Sequence, residues 1–529
     1  MFGLGAYAEL SYSGILSADE TASSLFLALL SDPTAERRFL VEVTPYNLAD
    51  ATTSTLYYST HGFQSKSSDD PANQPFDARV ITALNVERSL VRGNSLGGIS
   101  PITVGEIAFN NADGGLDNLV DDYSWDGRDV RVLMGGKDFG YDDYSLIFKG
   151  TVDQLEYDLD TIRLRARDLL FKLDKPIQGS RYLGTGGNNG GADLAGKPQP
   201  LLFGDVFNIP AVLLDPANLV YHVHAGAIAS IVAVRDKGVA LTVTTGTPGS
   251  GSYRASTASG RFQLGATPSG RVTADVKGHL EGGVQASITS DIVRVIASTY
   301  ASLTAGEVDL GSFGGVSTIA PNTVGIFIDT TDRTVRDVVE ELMTGIGGFA
   351  AFNRFGQMQI GVITAPSGSN DASFTASTVF EFARESFQRP VDKLAVGYRK
   401  NYQVQTGDDL AGSVNASARS EFAQEFRKVE LQATSITSTH LVPAEPIFVP
   451  GLFAEQAAAS TEASRQLTIY ASARSIFRIM VKSDAAQLEL GNKVQLTQAR
   501  YGFDSGRQLV IVGMSEDFER GEIILELFG

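Results

Sequence analysis

The sequence predicts a mainly β protein with an α+β insert, divided into several domains. Short apolar runs with a period of two recur along most of the 529 residues, the pattern of half-buried strands. Glycine outnumbers proline, 55 against 18, which suits many strands joined by tight turns. One stretch, beginning near residue 332, carries a sharp helical stripe inside this β background. The length exceeds what a single core fills, so roughly three to five domains of about 100–150 residues are expected. A hydrophobic share of 43% and a charged share of 20% are those of an ordinary globular chain.

Residues 1–36 read as an N-terminal arm whose one strongly apolar piece, 24–30, is expected to lie against a neighbouring domain or subunit. Residues 37–180 form a first β domain, with strands at 39–43, 55–59, 78–84, 102–109, 129–134, 145–148, 151–157 and 161–166. In the last of these Ile162, Leu164 and Ala166 alternate with Arg163, Arg165 and Arg167. Such spacing indicates a barrel or a sandwich. Residues 181–196 are a Gly-rich linker. Residues 197–320 are β-rich again, with strands near 199–205, 221–224, 228–235, 240–244, 253–256, 261–264 and 272–278, and a helix over 291–299. Residues 321–390 form an α/β unit. Its helix places Val335, Val338, Val339, Leu342 and Met343 on one stripe, with Thr330, Thr331 or Asp332 as cap and Gly345 as stop. A hairpin, 349–352 with 358–362, follows. Residues 391–529 hold a strand at 393–398, a weakly patterned polar stretch at 403–430, an Ala-rich helix at 454–473 and strands at 476–482 and in three terminal runs. The end of the chain is expected to be buried in a sheet or against a neighbour.

The net charge of −18 repels nucleic acid at long range and leaves no cationic footprint for phosphate. Specific nucleic-acid binding is therefore not expected, although DNA can pass such a surface without sticking. The absence of cysteine excludes disulfides, thiolate-ligated zinc or iron–sulfur sites and a cysteine nucleophile. Residues 1–13 lack the basic start and apolar stretch of a signal peptide. Apolar runs such as 228–234 fall short of the roughly 20 residues of a membrane span. Cytoplasmic synthesis without stable membrane insertion is expected.

Four features invite a chemical reading and each has a plainer one. His222 and His224 share a strand face, but a metal needs further ligands, and a polar strand face is preferred. Asp113, Asp117, Asp121, Asp122, Asp126 and Asp129 cluster among Gly and Asn without the spacing of a Ca²⁺ loop. They include candidate carboxylate pairs for glycoside hydrolysis, yet solvent-facing acidic loops are preferred. Asp138-Phe139-Gly140 spells a kinase tripeptide without the rest of the kinase set. The stretch 183–191 has glycines but no Lys-Ser/Thr entering a helix, as a phosphate loop requires. With five histidines (His61, His222, His224, His279 and His440) and no Gly-x-Ser-x-Gly elbow, a hydrolase triad has no anchor. No catalytic, cofactor-binding or metal-binding residue is assigned, no cofactor is expected, and the chain is not expected to be an enzyme.

Several motifs in order carry a resemblance: Phe203-Gly204-Asp205-Val206-Phe207-Asn208-Ile209-Pro210, the strand Val272 to Gly278, the helix from Thr334 to Gly348, the hairpin Phe349 to Gln357 and the terminal strands Gly491 to Phe528. Together they resemble the central hub (tail-tip or baseplate-hub) proteins of long non-contractile phage tails and gene-transfer particles, over most of 37–529. The resemblance implies two tube-like β-barrels, at 37–180 and 391–529, with smaller β and α/β domains. It implies a homotrimer in which two barrels per chain make a pseudo-sixfold ring at the virion tail tip. Distal-tail or tail-tube proteins would lie on one side, and a central fibre or tip proteins on the other, with DNA ejected through the ring. Some relatives carry an iron–sulfur domain, which zero cysteines rule out here. The alternatives are a hexameric distal-tail ring protein and a glycan-binding or glycan-processing tail protein.

Overall fold

The computed structural model describes residues 23–32, 34–92 and 95–529, so most of the arm 1–36 lies outside the described residues. Its apolar piece forms helix α1 (Ser24–Ser31), which buries Phe26, Leu29 and Leu30. The principal strands that follow are β1 (Arg37–Val43), β2 (Leu56–Ser59), β3 (Pro75–Ala78), β4 (Val80–Thr82), β5 (Val86–Ser89), β6 (Ile102–Val104), β7 (Glu106–Asn110), β8 (Asp129–Gly136), β9 (Ser145–Tyr157) and β10 (Thr161–Arg167). All but β5 and β6 join one sheet, ordered β3–β2–β1–β8–β9–β10–β7–β4, with the short strand Phe63–Gln64 beside β3. β3 and β4 stand near opposite margins, yet only Arg79 separates them in the chain. The sheet therefore curls until its margins approach, the geometry of a barrel. Inward Ile162, Leu164 and Ala166 are buried as the alternation predicts.

Three strand expectations change here, the first being the run 78–84, which is divided at Arg79 between the end of β3 and β4. The run 102–109 is not one strand, because the chain bends at Gly105, whose N–H donates to the Asn85 carbonyl at 2.8 Å. β6 goes to another sheet and β7 stays. Conversely, 145–148 and 151–157 are one continuous strand, β9.

The Gly-rich stretch 181–196 is folded against its neighbours. Tyr182 and Leu194 bury beside Leu214, and turns at Gly187–Asn189 and Ala192–Leu194 use left-handed Gly186 and Gly190. The next unit has its own small core around β11 (Leu201–Pro210), β12 (Ile228–Asp236), β13 (Val272–Glu281) and β14 (Gly325–Ile328), ordered β12–β13–β11–β14. Helix α2 (Thr289–Val295) forms where expected. Helix α3 (Leu310–Ile319) was not expected, since Gly311, Gly314 and Gly315 weaken it. It is held by buried Phe313 and Val316 and by Asp309, whose side chain accepts from the N–H groups of Gly311 and Ser312. Helix α4 (Val335–Gly345) buries the predicted stripe. Its cap is Thr334 rather than residues 330–332. Thr334 Oγ1 accepts from Asp337 N at 3.1 Å and the Asp337 carboxylate accepts from Thr334 N at 3.0 Å, a reciprocal capping box. The hairpin β15 (Gly348–Phe352) and β16 (Met358–Val362) packs on it.

The remaining strands are β17 (Ala372–Thr375), β18 (Glu381–Gln388), β19 (Lys393–Tyr398), β20 (Arg427–Gln432), β21 (Ile447–Phe453), β22 (Arg474–Lys482), β23 (Lys493–Thr497), β24 (Arg507–Asp517) and β25 (Glu522–Phe528). β19, β20 and β21 form a separate three-stranded sheet, with helix α5 (Gln456–Tyr470) packed on it. The others follow the order β17–β23–β24–β25–β22–β18. Neighbours in sequence, β17 and β18, again occupy opposite margins, so this sheet also curls. It borrows β5 and β6, which continue it beyond β24. Sheet membership thus crosses the ranges 37–180, 321–390 and 391–529. The fold class is the expected one: mainly β, with two barrel-like sheets and smaller β and α/β units. Gly529 is buried, exchanging hydrogen bonds with Ser475 at 3.0 and 3.1 Å.

Candidate assembly site at the two barrel hairpins

The two barrel sheets share a strand order. β4–β7–β10–β9–β8 recurs as β18–β22–β25–β24–β23, with every neighbour antiparallel. The hairpins match over the four pairs nearest their tips, Gln154↔Arg165 through Tyr157↔Ile162 in β9–β10 and Met514↔Leu525 through Asp517↔Glu522 in β24–β25. Each carries one β-bulge and the tips, 158–161 and 518–521, are equal in length.

The second hairpin is covered by the segment that follows β4. β5 pairs with β24, Val86–Ser89 against Glu516–Gly513. Leu90 N donates to Val512 O at 2.7 Å, and Ala83 N donates to the Glu519 carboxylate. Met514 and Phe518 are buried. Beneath this contact lie four charged side chains from separate segments. Arg88 of β5 pairs with Glu489 and, at 3.2 Å, with Glu516. Arg354, from the turn of the β15–β16 hairpin, reaches Glu516 at 3.1 Å. All four are buried. Two guanidinium and two carboxylate groups cancel formally, which makes such burial tolerable. Burial acts to lower the Arg88 pKa, but Glu489 and Glu516 outweigh it and hold the group above its ordinary value. Helix α1 adds a second tie, since Leu30 O accepts from Ser483 Oγ at 2.9 Å and Arg37 donates to the same hydroxyl at 2.9 Å.

Among the described residues the first hairpin has no such cover. Its ladder to β8 ends at Val152, whose N–H donates to Arg128 O at 2.8 Å. Asp153–Tyr157 then presents an edge with no strand beside it among the described residues. Tyr157 is 64% and Leu159 93% exposed. Elsewhere, at the end of β18, the counterpart of β4, a cavity of about 670 Å³ is lined by Arg389, Val391, Val442, Ile447, Arg474 and Ile476, among others. Neither arginine forms an ion pair with a carboxylate among the described residues. Burial, then the neighbouring Arg507, push the Arg474 pKa down.

No protein-family profile and no curated protein matches the chain. Solved structures do. A tail protein from Neisseria meningitidis MC58 is 9% identical, with 92% of this chain and 96% of that chain covered at a TM-score of 0.40. A 43 kDa tail protein of prophage MuSo2 from Shewanella oneidensis is 10% identical, covering 93% and 98% at 0.38. A chain of the native gene transfer agent virion is 14% identical, covering 63% and 84% at 0.37. These likenesses are distant and fix no role.

The residues singled out in the sequence fall elsewhere. His222 and His224 are buried rather than on a polar strand face. Tyr182 Oη lies 2.7 Å from His222 Nδ1. His224 Nδ1 accepts from Leu202 N at 3.0 Å, so its proton sits on Nε2, 3.3 Å from His279 Nδ1. Burial first, and neighbouring positive charge second, push His222 down to about 4 and His224 to about 3. No group of three metal-ligating side chains occurs among the described residues. Asp113 is taken by Arg79 at 2.6 Å and held down to about 2. Asp117 accepts from Asn111 at 2.8 Å. Asp121, Asp122, Asp126 and Asp129 are exposed. Phe139 packs edge-on against Tyr144 in a turn. No helix among the described residues is long and apolar enough to cross a membrane.

Proposed function

We infer that this chain is a structural, non-enzymatic hub of a phage-type tail tip or baseplate in the virion. Three copies supply six barrels to a pseudo-sixfold ring that joins the tail tube or a distal-tail protein to a central fibre or tip and lets DNA through. The observation that carries this is the pair of barrels with one strand order inside a single chain, the second holding, by strand pairing and a buried ionic quartet, the segment β5–β6 that leaves and rejoins the first. A six-barrel ring built from three chains needs such a rigid pair. The order of motifs along the sequence supports it, and a charge of −18 suits a lumen that DNA passes without binding. Against the distal-tail alternative stands the second barrel, because a hexamer needs one barrel per chain. Native mass spectrometry of the purified protein, and its copy number in particles, test the inference. Three copies are expected; six copies, or a monomer that never joins tail proteins, would sink it.

A further inference from the structure

We propose that the exposed tip of the β9–β10 hairpin docks in the cavity beside Arg389 of a second copy of this chain, repeating between chains the joint that each chain makes within itself. The proposal rests on the trimeric hub reading and names the contact that closes the ring.

Inside one chain, the tip of β24–β25 is covered by the segment that follows β4. Glu519, which occupies the position of Leu159 in the matched hairpins, accepts from Ala83 in that segment. The counterpart of β4 is β18, and the segment that follows β18 starts at Arg389 and lines the cavity. The internal joint therefore points the first hairpin at this cavity on another molecule. Both surfaces are incomplete as they stand. The tip carries an open strand edge, a ready template for pairing, and two exposed apolar side chains, Tyr157 and Leu159. The cavity offers apolar walls at Val391, Val442, Ile447 and Ile476.

Charge agrees. The tip reads Glu156-Tyr157-Asp158-Leu159-Asp160. Asp158 keeps Arg163 at 2.9 Å, but Asp160 has no ion pair among the described residues, and neither do Arg389 and Arg474 at the cavity. Because tip and cavity are different surfaces, the contact is head-to-tail, and such contacts close into rings when each step turns by the right angle.

The chain has no cysteine, so an introduced pair supplies its only thiols. Leu159→Cys with Val442→Cys should oxidise to a covalent ladder ending at three chains, whereas either single variant should form no ladder. Leu159→Arg should abolish the trimer in native mass spectra while leaving the melting temperature of the chain unchanged, and Arg389→Glu should weaken it at least tenfold. A wild-type trimer that survives Leu159→Arg and gives no ladder overturns the docking but leaves the trimeric hub intact. A trimer lost in Leu159→Arg, untouched in Arg389→Glu and not cross-linked, overturns the cavity as the partner. A wild-type chain that stays monomeric with its tail proteins overturns both.

Discussion

The β9–β10 and β24–β25 hairpins share strand order, tip length and the register of the four pairs nearest the tip, yet among the described residues no strand covers the first, while the second is buried. Residues 514 and 518 of the second are Met and Phe, both buried. Their counterparts in the first are Gln154 and Asp158, both exposed. The apolar side chains of the first tip sit instead at Tyr157 and Leu159, where the second has Asp517 and Glu519. Since side chains alternate along a strand, the apolar load has moved to the opposite face. Strand order sets the barrel, then, while the residues at the tip record what covers it.

The comparison breaks most sharply at the ionic quartet. Glu516→Ala leaves Arg88 and Arg354 buried with one carboxylate between them, and should cost about 3–5 kcal/mol in chemical denaturation. The equivalent position in the first barrel, Glu156, is only partly buried, and Glu156→Ala should change little. Phe518→Ala should likewise cost about 3–5 kcal/mol through the cavity it leaves, against no more than about 0.5 kcal/mol for Tyr157→Ala in the isolated chain.

Acid should separate the unit built on β11–β14 from both barrels. His222 and His224 titrate near 4 and 3 in the folded chain and near 6.5 when unfolded, so the unfolded chain takes up protons first. Their contribution is intact above about pH 6.5 and is lost as pH falls towards 4 and 3. Protonating His224 at Nδ1 would also set it against the Leu202 N–H. Hydrogen exchange at pH 4.5 should loosen 220–224 and 276–281 before β9 or β24; simultaneous loosening would count against this. The smallest effect is expected at the α4 cap, where Thr334→Ala should cost about 1 kcal/mol, read as a small downward shift in melting temperature.

Much of the strand content was legible because period-two alternation, as in Ile162-Arg163-Leu164-Arg165-Ala166, is a local signal. The α4 stripe was legible for the same reason. The break at Gly105 was not, since it depends on the Asn85 carbonyl across a loop. Nor was α3, whose glycines argue against a helix until Phe313 and Val316 find a core. The candidate assembly site was not legible either. Arg88, Arg354, Glu489 and Glu516 lie on distant segments, and each looks like an ordinary surface charge in its own run. The hairpin repeat lies in hydrogen-bond register, while the two tips are unlike in residue type.

The buried quartet has a consequence beyond stability. If each chain supplies two steps of a ring, the angle between its barrels sets whether the last copy meets the first. A joint held only by exposed, screened ion pairs would let that angle wander, and a head-to-tail contact with a wandering angle grows into an open spiral. Arg88, Arg354, Glu489 and Glu516, locked out of water, act in that case as the gauge that fixes the count at three.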